Sequence, residues 1–185
     1  MHVNHLKTDK IQGSVFMFCK GKKTSLRSIK ATDFSKIIAW QANKHLNQYV
    51  GDKLPTSLQE CEVRYLTSNL FNRIFGIEDE NGNLIGEIEI NHIKWKEREA
   101  ELFLYIGEKD LWGKGYGHDA LKTFLNYIFN EKKFKYIYLR VYEHNIRAIR
   151  CYEKCGFKKR GILRFNKNKI DSDNLILMEI SSSDL

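Results

Sequence analysis

Apolar residues recur at helical spacing most clearly after Tyr116. There Ala120, Leu121, Phe124, Leu125, Ile128 and Phe129 mark one face of a strong amphipathic helix. Earlier, Thr32 or Asp33 can cap a helix carrying Phe34, Ile37, Ile38 and Gln41 on one side. Ser57, with Glu60 three residues on, forms a capping box that opens a helix through Leu58, Cys61, Tyr65, Leu66 and Leu70. Between these helices and the long one the pattern turns to β. Residues 24–29 alternate like a strand, and Arg73–Glu78, Leu84–Ile90 and Ala100–Ile106 read as three more. Asn81-Gly82 lies between the first two of that trio and favours a hairpin turn with positive φ. Tyr136–Tyr142 is β-branched and aromatic, hence a strand. Asn145 can cap a helix through Ala148, Ile149 and Tyr152 that Gly156 ends, and strands follow near Phe157–Leu163 and Leu175–Ile180. The order β–α–α–β–β–β–α–β–α–β–β predicts an α/β (α+β) fold with a mixed sheet, not a doubly wound parallel one.

Length changes this picture little: 185 residues suit one domain over 1–185, with 1–14 as a loose amino-terminal arm. No stretch approaches the ~20 apolar residues of a membrane span, and the start lacks the apolar run of a signal peptide. The cytoplasm is therefore the expected location. Cys19, Cys61, Cys151 and Cys155 offer no paired metal-ligand spacing, so reduced thiols and no metal are expected. The formal net charge of +8 fits either nucleic acid or a phosphate-bearing cofactor. The cations are scattered, without a basic helix or an aromatic-basic RNA-binding signature, so no nucleic acid is expected.

The informative stretch is Trp112-Gly113-Lys114-Gly115-Tyr116-Gly117-His118, between a strand and the long helix. Glycines let the backbone approach a ligand closely. A helix start adds free N–H groups and a positive dipole end, which together make an anion cradle suited to a pyrophosphate. A P-loop would need Ser or Thr after a Gly-Lys pair, and a Rossmann turn would need a glycine at His118. Neither fits.

This segment resembles the pyrophosphate loop of the GNAT superfamily of N-acetyltransferases, Gln/Arg-x-x-Gly-x-Gly/Ala. Gly115 and Gly117 match its glycines, and Trp112 stands where Gln or Arg is usual. A second stretch, residues 145–157, is similar to the family's Asn-x-x-Ala-x-x-x-Tyr-Glu-Lys-x-Gly-Phe signature. The form of the loop is close to that of the ribosomal-protein-alanine N-acetyltransferase-like branch. The resemblance implies a largely antiparallel sheet whose strand carrying Ile106 splays from the following strand, the pantetheine arm of acetyl-CoA filling the gap. It implies coenzyme contacts from Ile106, Trp112, Gly113, Lys114, Gly115, Tyr116, Gly117, His118, Asn145, Ala148 and Tyr152. It also implies direct acetyl transfer to a primary amine in a ternary complex, with Tyr152 as general acid toward the departing thiolate. A phenol of pKa near ~10 suits that task.

The acceptor must lose a proton, and Glu101 matches the position of the general base in histone-acetylating relatives. Its apolar neighbours would raise its pKa. Glu87 and Glu89 are rivals. The acceptor itself stays open among a protein N-terminus, polyamines, amino sugars, antibiotics and amino acids, with Glu60, Glu78, Asp79 or Glu80 available as an acidic pocket. A homodimer is left open. A non-catalytic acyl-CoA-binding sensor is the alternative reading, and a nucleic-acid-binding protein a remoter one.

Overall fold

The computed structural model describes residues 19–50, 54–67, 72–164 and 174–184. The arm expected over 1–14, and Leu70, lie outside the described residues. Eight strands join in one sheet of order β1-β2-β3-β4-β5-β6-β8-β7. They are β1 (Cys19–Lys20), β2 (Ser25–Arg27), β3 (Arg73–Glu78), β4 (Leu84–Lys94), β5 (Glu99–Ile106), β6 (Tyr136–Tyr142), β7 (Lys158–Leu163) and β8 (Leu175–Ser181). Every neighbouring pair is antiparallel except β5 with β6. The mixed, largely antiparallel sheet is as the pattern predicts.

Helices cover both faces. On one lie α4 (Tyr116–Asn130) and α5 (Ile146–Lys154); on the other α1 (Phe34–Gln41), α2 (Lys44–Val50) and α3 (Leu58–Cys61), which runs into a π-helical turn, Glu62–Leu66. All six apolar positions marked on α4 are buried, with Ala120, Leu121, Phe124 and Leu125 fully so. At ~1.5–3 kcal/mol for each large side chain, that stripe is a main attachment of α4 to the sheet. Period two divides β5 between the two layers. Ala100, Leu102 and Ile106 join the core under α4 and α5, while Glu101, Phe103 and Tyr105 face the amino-terminal helices.

Local chemistry departs from expectation in a few places. Ser57 Oγ accepts from Glu60 N at 3.2 Å, but the Glu60 carboxylate takes Thr56 N rather than the cap's own. Asp33 precedes α1 without capping it, because its carboxylate is spent on Arg27 and on Lys30 N. Trp40 replaces Gln41 on the buried face of α1, and Gln41 is exposed. In the β3–β4 turn only Gly82 takes positive φ, +79°, while Asp79 Oδ1 accepts from Asn81 N and Asn83 N. Strand β1 and helix α2 have no counterpart in the sequence reading. Two-residue β1 is too short to carry a period, and α2 shows only Leu46 and Val50 as an apolar pair.

Candidate active site

Strands β5 and β6 run parallel but pair only at Glu99–Tyr136, Ala100–Ile137 and Glu101–Tyr138. Beyond Glu101 they part, and the gap opens into a cavity of about 680 Å³. Its walls come from the ends of β5 and β6, the loop after β5, and the first turns of α4 and α5. Of the positions named above, Glu101, Ile106, Trp112, Gly113, Gly115, Tyr116, Gly117, His118, Asn145, Ala148 and Tyr152 all line it. Lys114 does not. The loop turns it outward, where its carbonyl accepts from Lys23 Nζ at 3.0 Å.

The loop conformation follows from its glycines. Gly113 and Gly115 have φ of +76° and +90°, which L residues adopt only with strain. A Cβ on either would meet no protein atom within 4 Å, so nothing in the protein occupies the space beside them. Gly115 precedes α4, whose first N–H groups lack intrahelical acceptors. Positive φ, open space and a helix start together fit a close-approaching anion. Trp112 supplies the tie at the loop start, its Nε1–H donating to Ile106 O at 2.7 Å. Asp119, one turn into α4, accepts from Lys22 N, Lys23 N, Thr24 N and Thr24 Oγ1. It pins the helix start to the turn between β1 and β2.

Across the gap, Asn145 caps α5 by accepting from Ala148 N at 3.2 Å. Tyr152 lies seven residues on, buried against Phe157, and its ring also reaches the cavity. Burial pushes its phenol above its ordinary value, so it holds its proton at any working pH.

Glu101 differs from expectation. Burial alone would raise its pKa, but Arg140 Nε and Nη2 donate to its two oxygens at 2.6 and 2.8 Å. His92 Nδ1 adds a contact of 2.8 Å. These partners outweigh burial, and its carboxyl sits below the usual range. The raised group is Glu87, which desolvation moves upward. It is 1% exposed, accepts from Tyr65 OH at 2.7 Å, and leaves Oε2 without a hydrogen bond. Glu89, beside it, takes Arg64 Nη2 at 2.9 Å.

The acidic pocket expected from Glu60, Glu78, Asp79 or Glu80 does not form at the cavity. Glu78 is spent on Arg27, Glu80 on Tyr116 OH, Asp79 on its turn and Glu60 on its cap.

Sequence reasoning missed Leu46, Tyr49, Val50, Arg140, Tyr142, Arg147 and Cys151 on the cavity wall. Arg140 carried a signal, being the one cation in a strand of aromatic and β-branched residues. Arg147 packs its guanidinium 3.8 Å over the Trp112 ring, with Tyr49 a second aromatic neighbour. That cluster joins three separate segments, α2, the loop after β5 and α5. His144 stacks on Tyr142 and Tyr49 rather than pairing with a thiol.

Residues 23–158 match the model of the acetyltransferase (GNAT) domain. A spermidine N(1)-acetyltransferase of Vibrio cholerae is 31% identical over 142 residues, 75% of this chain and 81% of that protein. A spermine/spermidine N(1)-acetyltransferase of Bacillus subtilis is 43% identical over 58 residues, 31% of this chain and 38% of that protein. A Vibrio cholerae spermidine N-acetyltransferase, solved with CoA and spermine, superposes with a TM-score of 0.75 at 28% identity. It covers 87% of this chain and 96% of that one. A dodecameric form of the Vibrio cholerae enzyme superposes at 0.70, with 27% identity over 86% of this chain and 94% of that one. Parted parallel strands, a glycine cradle at a helix start and a matching domain model thus agree, and the chain belongs to the GNAT acetyltransferase family.

Proposed function

We propose that this acetyl-CoA-dependent N-acyltransferase acetylates a primary amine of a small polyamine, by direct transfer in a ternary complex. The observation that carries the reading is the sheet face on the acceptor side. Glu101 lines the cavity there, and Glu87 and Glu89 lie on the same face of β4. Three carboxyl groups gathered on that face, Glu89 and Glu101 each held by an arginine and Glu87 buried with one oxygen left without a hydrogen bond, give it acceptor oxygens suited to a cationic amine. The net charge of +8 gives no long-range help, so the attraction is local. The likeness to two polyamine N-acetyltransferases supports the same class over a protein N-terminus. The dodecameric relative adds self-association to the proposal, checked by light scattering.

The chemistry then assigns itself to groups on the wall. The Gly113–Gly117 cradle takes the pyrophosphate of acetyl-CoA, and the unpaired end of β5 takes the pantetheine arm along with the Asn145 amide. Ammonium becomes amine before attack, since the protonated form has no lone pair. Glu101, low in proton affinity, orients the ammonium by charge, and the ammonium gives its proton to water. As the thioester collapses, Tyr152 hands its proton to the sulfur, a transfer that contributes ~10²–10⁴-fold in such reactions. No covalent enzyme intermediate is required.

An acceptor screen measuring CoA release tests the substrate class. Spermidine and spermine should show the highest kcat/KM, ahead of an alanyl peptide and an amino sugar. A higher value for the alanyl peptide would move the assignment to protein N-termini. Saturable acetyl-CoA binding with no turnover of any amine would replace the enzyme with an acyl-CoA sensor.

A further inference from the structure

Cys151 and Cys155 stand one turn apart on α5 and share a face. Cys151 is half-buried and lines the cavity, while Cys155, at the helix end, is buried and reaches His118 O in the first turn of α4 at 3.9 Å. All four cysteines of the chain are free. Their surroundings differ. Burial pushes Cys19 up to about 11 and raises Cys61, and the Cys151 thiol together with burial raises Cys155, whereas the Cys155 thiol and the Lys154 charge hold Cys151 down. A cavity-lining thiol held below its ordinary value by a neighbouring thiol and a lysine charge, with that second thiol one turn away, is the setting of a reactive cysteine with a resolving partner.

We propose that Cys151 is a site of reversible mixed-disulfide formation with low-molecular-weight disulfides, that its adduct closes the coenzyme cleft, and that Cys155 resolves it. The cleft-closing part rests on the coenzyme binding in this cavity, as proposed above. The first step is exchange: Cys151 thiolate attacks one sulfur of RSSR, forming Cys151–S–S–R and releasing RS⁻. Cys155, no longer held up by a Cys151 charge once the adduct forms, loses its proton to solvent and attacks the Cys151 sulfur, forming the Cys151–Cys155 bond and releasing the second RS⁻. Two protein thiols are oxidised and one RSSR is reduced to two thiolates, which take up the two protons that the protein thiols give to solvent.

The geometry permits the second step. Residues four apart on a helix hold Cβ atoms ~5–6 Å apart, and a disulfide needs ~3.5–4.5 Å. The remaining approach falls at a turn already tightened. Cys155 N–H is shared between Cys151 O and Tyr152 O at 3.2 and 3.0 Å, and Gly156 follows with φ +97°. The adduct on Cys151 occupies the cavity between the first turns of α4 and α5, where the chain to be bound must pass.

The test treats the reduced protein with oxidised glutathione and follows intact mass, peptide map, acetyl-CoA binding by calorimetry and residual activity relative to each untreated variant. The wild type should first gain one glutathione on Cys151, then convert to a species two hydrogens lighter than the reduced protein. Coenzyme binding should be lost with the first step, excess acetyl-CoA should slow that step at least about tenfold, and dithiothreitol should reverse both. Cys155→Ser should stop at the Cys151 adduct, and Cys151→Ser should keep its own activity under the same treatment. Modification confined to Cys19 or Cys61 would overturn the proposal. So would equal inactivation of Cys151→Ser, or a Cys151 adduct that still binds acetyl-CoA. Weak coenzyme binding by the untreated wild type would instead count against the cavity as the coenzyme site, whatever the thiols do.

Discussion

Arg140 closes a two-point fork on Glu101, donating from Nε and Nη2 to its two oxygens at 2.6 and 2.8 Å. Glu101 is the last residue of β5 in register with β6, and Arg140 lies two positions past its partner Tyr138. The ion pair therefore sits where backbone pairing ends and the cavity begins. It carries the link between the strands past the point at which main-chain hydrogen bonds stop.

Acid stability should report that pair. The Glu101 carboxyl is held below its unfolded value, so the unfolded chain binds its proton more readily than the folded one. Its stabilising contribution is complete above the unfolded carboxylate pKa of ~4.3 and is lost as pH falls through the lower folded value. Glu101→Gln should flatten the decline in Tm between about pH 5 and pH 3. A decline as steep as that of the wild type would place the acid sensitivity in other carboxylates.

The same variant separates two roles for Glu101 in turnover. A general base would make Glu101→Gln slowest where the amine is most protonated, with partial recovery at high pH. The fork geometry instead predicts a rise in KM for the amine at every pH, with the shape of the kcat/KM profile unchanged. Recovery at high pH would return the base to Glu101.

Tyr152→Phe removes the buried phenol and leaves its ring contact with Phe157 in place. Turnover should fall by about 10- to 1,000-fold, because water replaces the acid only in part, while acetyl-CoA affinity stays within about threefold. An unchanged kcat would take Tyr152 out of the reaction.

Gly115→Val tests the cradle. No protein atom lies within 4 Å of a Cβ there, so the fold pays only the strain of positive φ, about 1–2 kcal/mol. Acetyl-CoA affinity should drop more than tenfold, above 1.4 kcal/mol, in a protein that still melts cooperatively. Calorimetry showing parental affinity would move the anion site elsewhere.

Asp119→Ala should cost about 2 kcal/mol of stability, since it strips the acceptor from Lys22 N, Lys23 N, Thr24 N and Thr24 Oγ1 at once. Asp119→Asn keeps one acceptor oxygen and should fall between the two by chemical denaturation. Equal stability of all three proteins would make the contact incidental.

The sequence by itself determined the elements other than β1 and α2, and marked the two motifs that meet at the cavity. Long periodic runs such as Leu121 to Phe129 and the alternation in Tyr136–Tyr142 are local signals, readable wherever one face meets a core. Glycine at 113, 115 and 156 likewise marks positive φ before any fold is known. The tertiary structure decided what lies across from what. Arg140 reaches Glu101 over 39 positions of chain and Arg147 stacks on Trp112, pairings set by which strands are neighbours. The sign of the Glu101 shift turned on such a neighbour. Apolar sequence neighbours argue for a raised carboxyl, but a guanidinium and an imidazole arriving from β6 and β4 lower it. Electrostatic environment depends on distance in space, and period and spacing along a chain do not contain that distance.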